Sequence, residues 1–493
     1  MSGGRALALL LVTVAALSGA ALGARQTAPA AFGESLALRA DRIVADSSQI
    51  GFGWLSQTSP AAYVARGALR LTLALIPWEG AATPVKQLGT FTIYATDLRS
   101  SPFPFTIDVR GVPDGYYRYL AEVWDGDARI ATRQAPVVLA AGIATQHSAV
   151  TARLAKIAAH DSAKATILYP FDLARVINLG KRVYGSGNGS PEFGLSQAGV
   201  QQLYDFGAGL RKSGDLLAAL EKGKDPLWRA RGEAVRHYYM AEADEILPYH
   251  VFVPLAWDGK AALPLVFVLH GNSRDQDFYF DRDGRIIPAT AAAHGFMLVA
   301  PLGYWPNGGY NYVPFTRQRG DLGARAAAAS AQSFGSDDTA ARQGRGGGVN
   351  GSTIPAPVRS EWSEQDAMHV LELVKQEYPI DPKRTFLFGY SAGGQGAHYF
   401  GQKYPEQWAA IAIGGSNATA GDFYRFDRLK NTPMLLVSGS ADPVVTATRA
   451  MAEALRTHGI DVLFTEYPGH NHDTTPAAAT ADIFAFFAAH ARR

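Results

Sequence analysis

Apolar residues recur at period two along the first part of the chain. Leu36-Leu38, Leu69-Leu71-Leu73-Leu75 and Phe91-Ile93 alternate with other residues, and Gly, Pro and Asp clusters punctuate them, as in Val112-Pro113-Asp114-Gly115 and Asp125-Gly126-Asp127. The stretches 117–123 and 128–131 flank the second cluster as two arms of a hairpin. This pattern predicts a small antiparallel, Ig-like β-sandwich over residues 34–140. Between 146 and 241 the period changes. Helical spacing over 150–159 and 195–220 predicts a mostly helical connector, with the Gly-, Ser- and Asn-rich stretch 184–192 as a loop inside it. From about residue 242 short apolar runs alternate with amphipathic ones. The runs at 265–269, 297–301, 385–389, 409–413, 433–438 and 461–466 read as strands, and 363–377, 394–403, 446–458 and 477–490 as helices. Buried strands separated by helices predict an α/β domain over 242–493, a mostly parallel sheet with helices on both faces. The stretch 316–359, rich in Ala, Gly, Ser and Arg, is expected as an insertion or mobile loop. No fixed-period repeat argues for a propeller or solenoid.

The N-terminus changes where this molecule is expected to work. Arg5 precedes an apolar run over 6–17 broken only by Thr13, and mostly small residues follow over 18–24. That is the layout of a cleavable export signal over 1–24, cut between residues 20 and 24, and the run is shorter than the roughly 20 residues of a spanning helix. A secreted or periplasmic bacterial protein with no integral membrane segment is therefore expected. The Asn-x-Ser/Thr sites at Asn188, Asn350 and Asn417 leave a glycosylated alternative open. Hydrophobic residues make up 47% of the 493 and charged ones 18%, enough apolar content for sizeable cores. A net charge of +2 with mixed signs gives no electrostatic footing for nucleic acid. With no cysteine there is no disulfide framework, thiolate zinc site or cysteine nucleophile. The faint calcium-loop pattern Asp281-Arg282-Asp283-Gly284 lacks the later ligands of such a loop and reads as a solvated turn, so no metal is expected.

The strongest chemical signal is Gly389-Tyr390-Ser391-Ala392-Gly393, set between a strand and a helix. A sharp strand-to-helix turn lifts a serine hydroxyl into solvent, and glycines at both ends let the two backbone arms pass closely. Serine is a poor nucleophile near neutrality and needs a base held by an orienting acid. Asp442, in Ser438-Gly439-Ser440-Ala441-Asp442-Pro443 after the strand 433–438, is the candidate acid; capping the following helix is its alternative role. Two histidines in Gly469-His470-Asn471-His472 compete as base. His472 is preferred because the Pro468-Gly469 turn and two further residues let the chain swing over the sheet edge, leaving His470 to line the site or meet solvent. His369, His398, His458 and His490 fall in helical patterns and read as surface or packing residues. Oxyanion donors are expected at the backbone amides of Ala392 and of Asn272, in Leu269-His270-Gly271-Asn272. His270 and Tyr390 are candidate substrate-lining residues, with structural packing the alternative for His270. The aromatic run Tyr304-Trp305 with Tyr310, Tyr312 and Phe315 forms either a substrate wall or a locally packed loop.

Pro248-Tyr249-His250-Val251, Leu269-His270-Gly271, Gly389 to Gly394, Ala441-Asp442-Pro443 and Pro468 to His472 follow the order and spacing of an α/β-hydrolase. The chain from about Arg236 onward resembles the secreted bacterial esterase branch related to the prolyl-oligopeptidase catalytic domain, with feruloyl esterases and polyhydroxybutyrate depolymerases as relatives. The stretch from Ser363 to Ser391 carries that resemblance most strongly. It implies an α/β-hydrolase domain cleaving carboxylic esters by a Ser391–His472–Asp442 triad without a cofactor. Members often lack histidine where His470 stands, which also favours His472. The segment 316–359 departs from the usual short loop. The expected substrate is a small-molecule or polymeric ester. A prolyl-oligopeptidase-type peptidase and a polymer-binding protein with an inert hydrolase domain are the other readings.

Overall fold

Eight strands carry the N-terminal part of the structure, a computed structural model that describes residues 29–492 apart from 60–62, 64–66, 79–80, 95–97, 182–203, 273, 305–308, 313–355 and 419–423. The expected export signal, the loop 184–192, Trp305, Phe315 and nearly all of the segment 316–359 lie outside the described residues, as do Asn188 and Asn350. The chain divides into two compact units, Met1–Gly142 and Ile143–Arg493.

In the first unit a short helix α1 (Pro29–Ser35) leads into β1 (Leu36–Ala40), β2 (Val44–Ala45), β3 (Ile50–Gln57), β4 (Leu69–Pro77), β5 (Lys86–Ile93), β6 (Phe103–Asp108), β7 (Gly115–Asp125) and β8 (Ala128–Leu139). They form two sheets, β1-β3-β6 and β2-β8-β7-β4-β5, with every pairing antiparallel except β2 with β8. The hairpin read at Asp125-Gly126-Asp127 is β7–β8, where Gly126 takes the left-handed φ of 61° that the turn needs. Leu69, Leu71, Leu73 and Leu75 of β4 are fully buried against Leu55, Phe105 and Ile107 of the other sheet, so the period-two pattern is the inner face of one shared core.

The second unit opens with helices α2 (Ile143–Leu154), α3 (Asp161–Asn178) and α4 (Phe206–Glu221). Then come β9 (Gly232–Met240), β10 (Glu245–Val253), β11 (Leu263–Leu269), α5 (Phe278–Asp281), α6 (Ile286–His294), β12 (Met297–Pro301), α7 (Ala356–Glu377), β13 (Ile380–Tyr390) and α8 (Ala392–Lys403). β14 (Ala410–Gly414), β15 (Met434–Gly439), α9 (Val445–Thr457), β16 (Val462–Tyr467) and α10 (Thr475–Ala489) complete it. The sheet runs β16-β15-β14-β13-β11-β12-β10-β9, parallel from β16 to β12 and antiparallel at β10 and β9. This is an α/β-hydrolase fold.

The segment 146–241, expected as a helical connector, is helical only to residue 221, and its last part is the edge strand β9. The reason lies in Arg236. Its guanidinium is buried and bonds Glu377 Oε1 at 2.6 Å and the Tyr378 hydroxyl at 2.6 Å, so a charge occupies an inward position and masks the strand pattern. The central strands are apolar on both faces because both are covered. Leu265, Phe267, Leu387, Ile411 and Leu436 pack beneath α7, α8 and α9, whereas Val266, Val268, Phe388, Ala412 and Val437 pack against α6 and α10. Side chains buried this way contribute roughly 1.5–3 kcal/mol each and make the sheet a rigid platform for the loops at its carboxyl edge.

Candidate active site

Ser391 stands alone between β13 and α8, with φ 59° and ψ −121°, a conformation that costs an L-residue of order 1–3 kcal/mol. Two glycines make the turn possible. A Cβ on Gly389 would collide with the Gly393 carbonyl, and one on Gly393 with the carbonyl of Leu269 at the end of β11. The Ser391 N–H donates to Gly414 O at 2.9 Å, tying the turn to β14.

The strand register then gathers the other loops. Leu269 pairs with Gly389, Tyr390 with Gly414, Gly414 with Val437 and Gly439 with Tyr467, so the loops after β11, β13, β15 and β16 leave the same edge. Two backbone bonds clasp the last two of them: Ser440 N–H to Tyr467 O at 2.9 Å and Ala441 N–H to His470 O at 3.0 Å. Within this clasp Asp442 is buried, 2% exposed, and its Oδ2 lies 2.9 Å from His472 Nδ1. The same oxygen accepts from the Tyr390 hydroxyl at 3.2 Å, and Oδ1 accepts from the Val444 N–H at 3.0 Å. Burial pushes this carboxyl up, but the hydrogen bonds from His472, Val444 and Tyr390 together with the His472 charge outweigh it and hold it below the ordinary carboxylate value. The helix-capping alternative for Asp442 is not taken up: α9 starts at Val445 with Val444 at its N-cap and no side-chain cap bond, and Asp442 Oδ1 meets the N–H of Val444 itself.

His472 is half-buried and its ring lies 5.1 Å from that of Tyr390, the residue before Ser391. His470 goes elsewhere: its Nδ1 faces Thr474 Oγ1 at 3.2 Å and its ring edge meets Tyr467. Of the two histidines, His472 is the one that meets Asp442. On the other side of the serine, a Cβ on Gly271 would lie 3.2 Å from Ser391 Cβ, which brings the 270–272 loop alongside the nucleophile position. Asn272 in that loop is exposed, and Ala392 opens α8, where first-turn amides have no intrahelical carbonyl.

Four side chains read as substrate-lining have other positions or lie outside the description. Tyr304 is fully buried; its N–H donates to Asp366 Oδ2 at 2.6 Å and its hydroxyl to Glu245 at 3.0 Å, so it ties a loop down rather than facing substrate. Trp305 is not among the described residues. His270 is buried, its ring nitrogens facing Gly271 O at 2.8 Å and Leu302 O at 2.7 Å; burial holds the ring below its ordinary value against the pull of those carbonyls. Tyr390 is buried and bonds Asp442, and burial followed by the Asp442 charge pushes its hydroxyl far up. Its glycine-flanked place before the serine hinted at proximity but not at the partner. Tyr310, in the same aromatic run, is packed on Gly303 and Gly396 and accepts the His270 N–H at 3.1 Å.

Among the described residues no group of three or more His, Cys, Asp or Glu is arranged to hold a metal ion. In the 281–284 turn, Arg282 Nε occupies Asp283 Oδ2 at 2.6 Å. No helix among the described residues is long and apolar enough to cross a membrane. A cavity of about 560 Å³ lined by Val358, Glu364, Met368, Lys403 and Tyr404 borders the far end of α8, roughly 18 Å along the helix from Ser391.

Residues 361–490 match the family described as Phospholipase/Carboxylesterase. No curated protein matches the chain. Among solved structures, the fluorophosphonate-binding serine hydrolase F of Staphylococcus aureus is 14% identical, with 52% of this chain and 98% of that one covered and a TM-score of 0.37. A ferulic acid esterase of Anaeromyces mucronatus is 17% identical over 52% of this chain and 90% of its own, with a TM-score of 0.38. An S-formylglutathione hydrolase of Agrobacterium tumefaciens is 14% identical over 52% and 95%, again with a TM-score of 0.38.

Proposed function

We propose that this chain, a hydrolase of the α/β-hydrolase superfamily, cleaves carboxylic esters through a covalent acyl-enzyme formed on Ser391. The observation that carries the reading is the 2.9 Å contact between His472 and buried Asp442, next to a serine held at positive φ. In this mechanism the Ser391 hydroxyl attacks the ester carbon and His472 Nε2 takes its proton. Asp442 holds the Nδ1–H and stabilises the imidazolium that forms. Backbone N–H groups of Ala392 and Asn272 receive the developing oxyanion; each such donor is worth roughly 10²- to 10³-fold in rate. The alcohol leaves with the proton from His472. Water, activated by the same imidazole, then attacks the acyl-enzyme and releases the acid. The strain at Ser391 supports the reading because a turn of that cost persists where the fold fixes it for use.

Ser391→Ala is expected to lower hydrolysis of 4-nitrophenyl acetate by at least about 10⁴-fold with the fold intact. Turnover within tenfold of wild type rejects the assignment. Peptide anilides assayed in parallel separate the ester reading from a peptidase, and esters are the expected substrates. We also propose that residues 1–24 direct export and are removed, as their layout supports. The mass of the protein recovered outside a bacterial host's cytoplasm tests this.

A further inference from the structure

Two arginines stand beside this site with unequal fates. Arg282 is satisfied: it bonds Asp283, and its Nη2 donates to the carbonyl of Asp473 at 2.7 Å, one residue past His472. Arg274 is not. It lies two positions past Asn272 on the loop that runs alongside Ser391, and it makes no hydrogen bond or ion pair among the described residues. Its Nη1 is buried without a partner. The guanidinium carbon sits 5.0 Å over the Phe278 ring, which Arg282 also covers at 4.5 Å, so Phe278 fixes both cations in place. Burial, followed by the like charge of Arg282, weakens the hold of Arg274 on its proton, while the acidic groups of Asp473 and Asp275 pull the other way without bonding it.

A buried guanidinium nitrogen without an acceptor is costly, and burial of such groups is ordinarily matched by a hydrogen-bonded partner. Among the described residues none is supplied. Residue 274 stands three positions past Gly271, where a Cβ would lie 3.2 Å from Ser391 Cβ, and its guanidinium shares the Phe278 ring with Arg282, which bonds the Asp473 carbonyl next to His472; these contacts put the Arg274 cation at the border of the site. We propose that Arg274 is a specificity-determining residue that binds a free carboxylate on the substrate, so that the enzyme prefers esters whose acyl or alcohol part carries a second acidic group. The planar fork of arginine suits a carboxylate in two-point contact, and Arg282 behind it adds positive potential without competing for the ligand. This inference rests on the esterase reading and adds the substrate class to it.

The test uses two matched pairs: mono(4-nitrophenyl) adipate against its methyl ester for the acyl side, and 3-acetoxybenzoate against its methyl ester for the alcohol side. The expected result is a kcat/KM ratio of acid to methyl ester that falls roughly ten- to hundredfold in Arg274→Gln for at least one pair, and that Arg274→Lys partly restores. Calorimetric binding of adipate and of 3-hydroxybenzoate to wild type and Arg274→Gln gives a second readout independent of turnover. Loss of binding in the variant supports the subsite even if the esterase reading fails. Ratios within twofold of wild type in both pairs, or equal binding by both proteins, overturn it. If Ser391-dependent hydrolysis persists in that case, the esterase reading stands without it.

Discussion

Tyr390, a candidate substrate-lining residue by its place beside Ser391, donates its hydroxyl to the carboxylate that meets His472. In the proposed mechanism its role is to position Asp442. Tyr390→Phe removes one neutral donor from a charged acceptor, and a loss of about 1 kcal/mol corresponds to roughly a fivefold fall in kcat, with KM little changed. A steady-state comparison on one neutral ester checks this. The sharp turn at Ser391 and the strand-end place of Asp442 were legible in the sequence because glycine spacing and strand ends carry steric information. The histidine was less so: only the bond from Ala441 N–H to His470 O, which turns residue 470 aside, explains why residue 472 meets Asp442. Arg274 left no pattern at all, since a lone arginine in a loop looks like any solvated charge.

At the scale of elements, the strand–turn–helix around Ser391 depends on glycine at 393. Gly393→Ala drives a methyl into the Leu269 carbonyl, separating the loop of Asn272 from the serine. Overpacking of this kind costs roughly 1–3 kcal/mol, so a lower urea midpoint together with lost esterase activity is expected. Nearly every strand and helix from β11 to α10 was readable, because apolar runs of strand length bounded by amphipathic helices admit few other architectures. The edge strand β9 was not, because its inward Arg236 is neutralised by Glu377, far away in sequence. Arg236→Met leaves the Glu377 charge buried without its cation, held among the described residues only by the Arg229 N–H, and equilibrium unfolding should register a loss of about 3–5 kcal/mol. A change below 1 kcal/mol would show the pair to be dispensable.

For the whole molecule, two buried histidines, His398 on α8 and His237 on β9 against Thr166 of α3, stay neutral in the folded state. Burial pushes His398 down to about 3 and His237 well below its ordinary value; the His398 Nδ1 stands 2.6 Å from the Tyr424 hydroxyl. The unfolded chain binds these protons near the ordinary 6.5, while the native state refuses His398's until about 3. Stability is therefore complete above that upper value and declines as pH falls through the window between them, by up to roughly 1.4 kcal/mol per pH unit for each such histidine. His398→Gln should flatten the acid limb of a plot of unfolding free energy against pH, and an unchanged slope would contradict the assignment. What the large sheet ultimately supports is a convergence of serine, imidazole and carboxylate at one edge. Peptide mass mapping after brief exposure to a fluorophosphonate tests that convergence most directly. A single adduct on Ser391 is expected, formed at near wild-type rate in His470→Ala and at least a hundredfold more slowly in His472→Ala. No adduct at Ser391, or slowing by the 470 substitution and not by the 472 one, would contradict it.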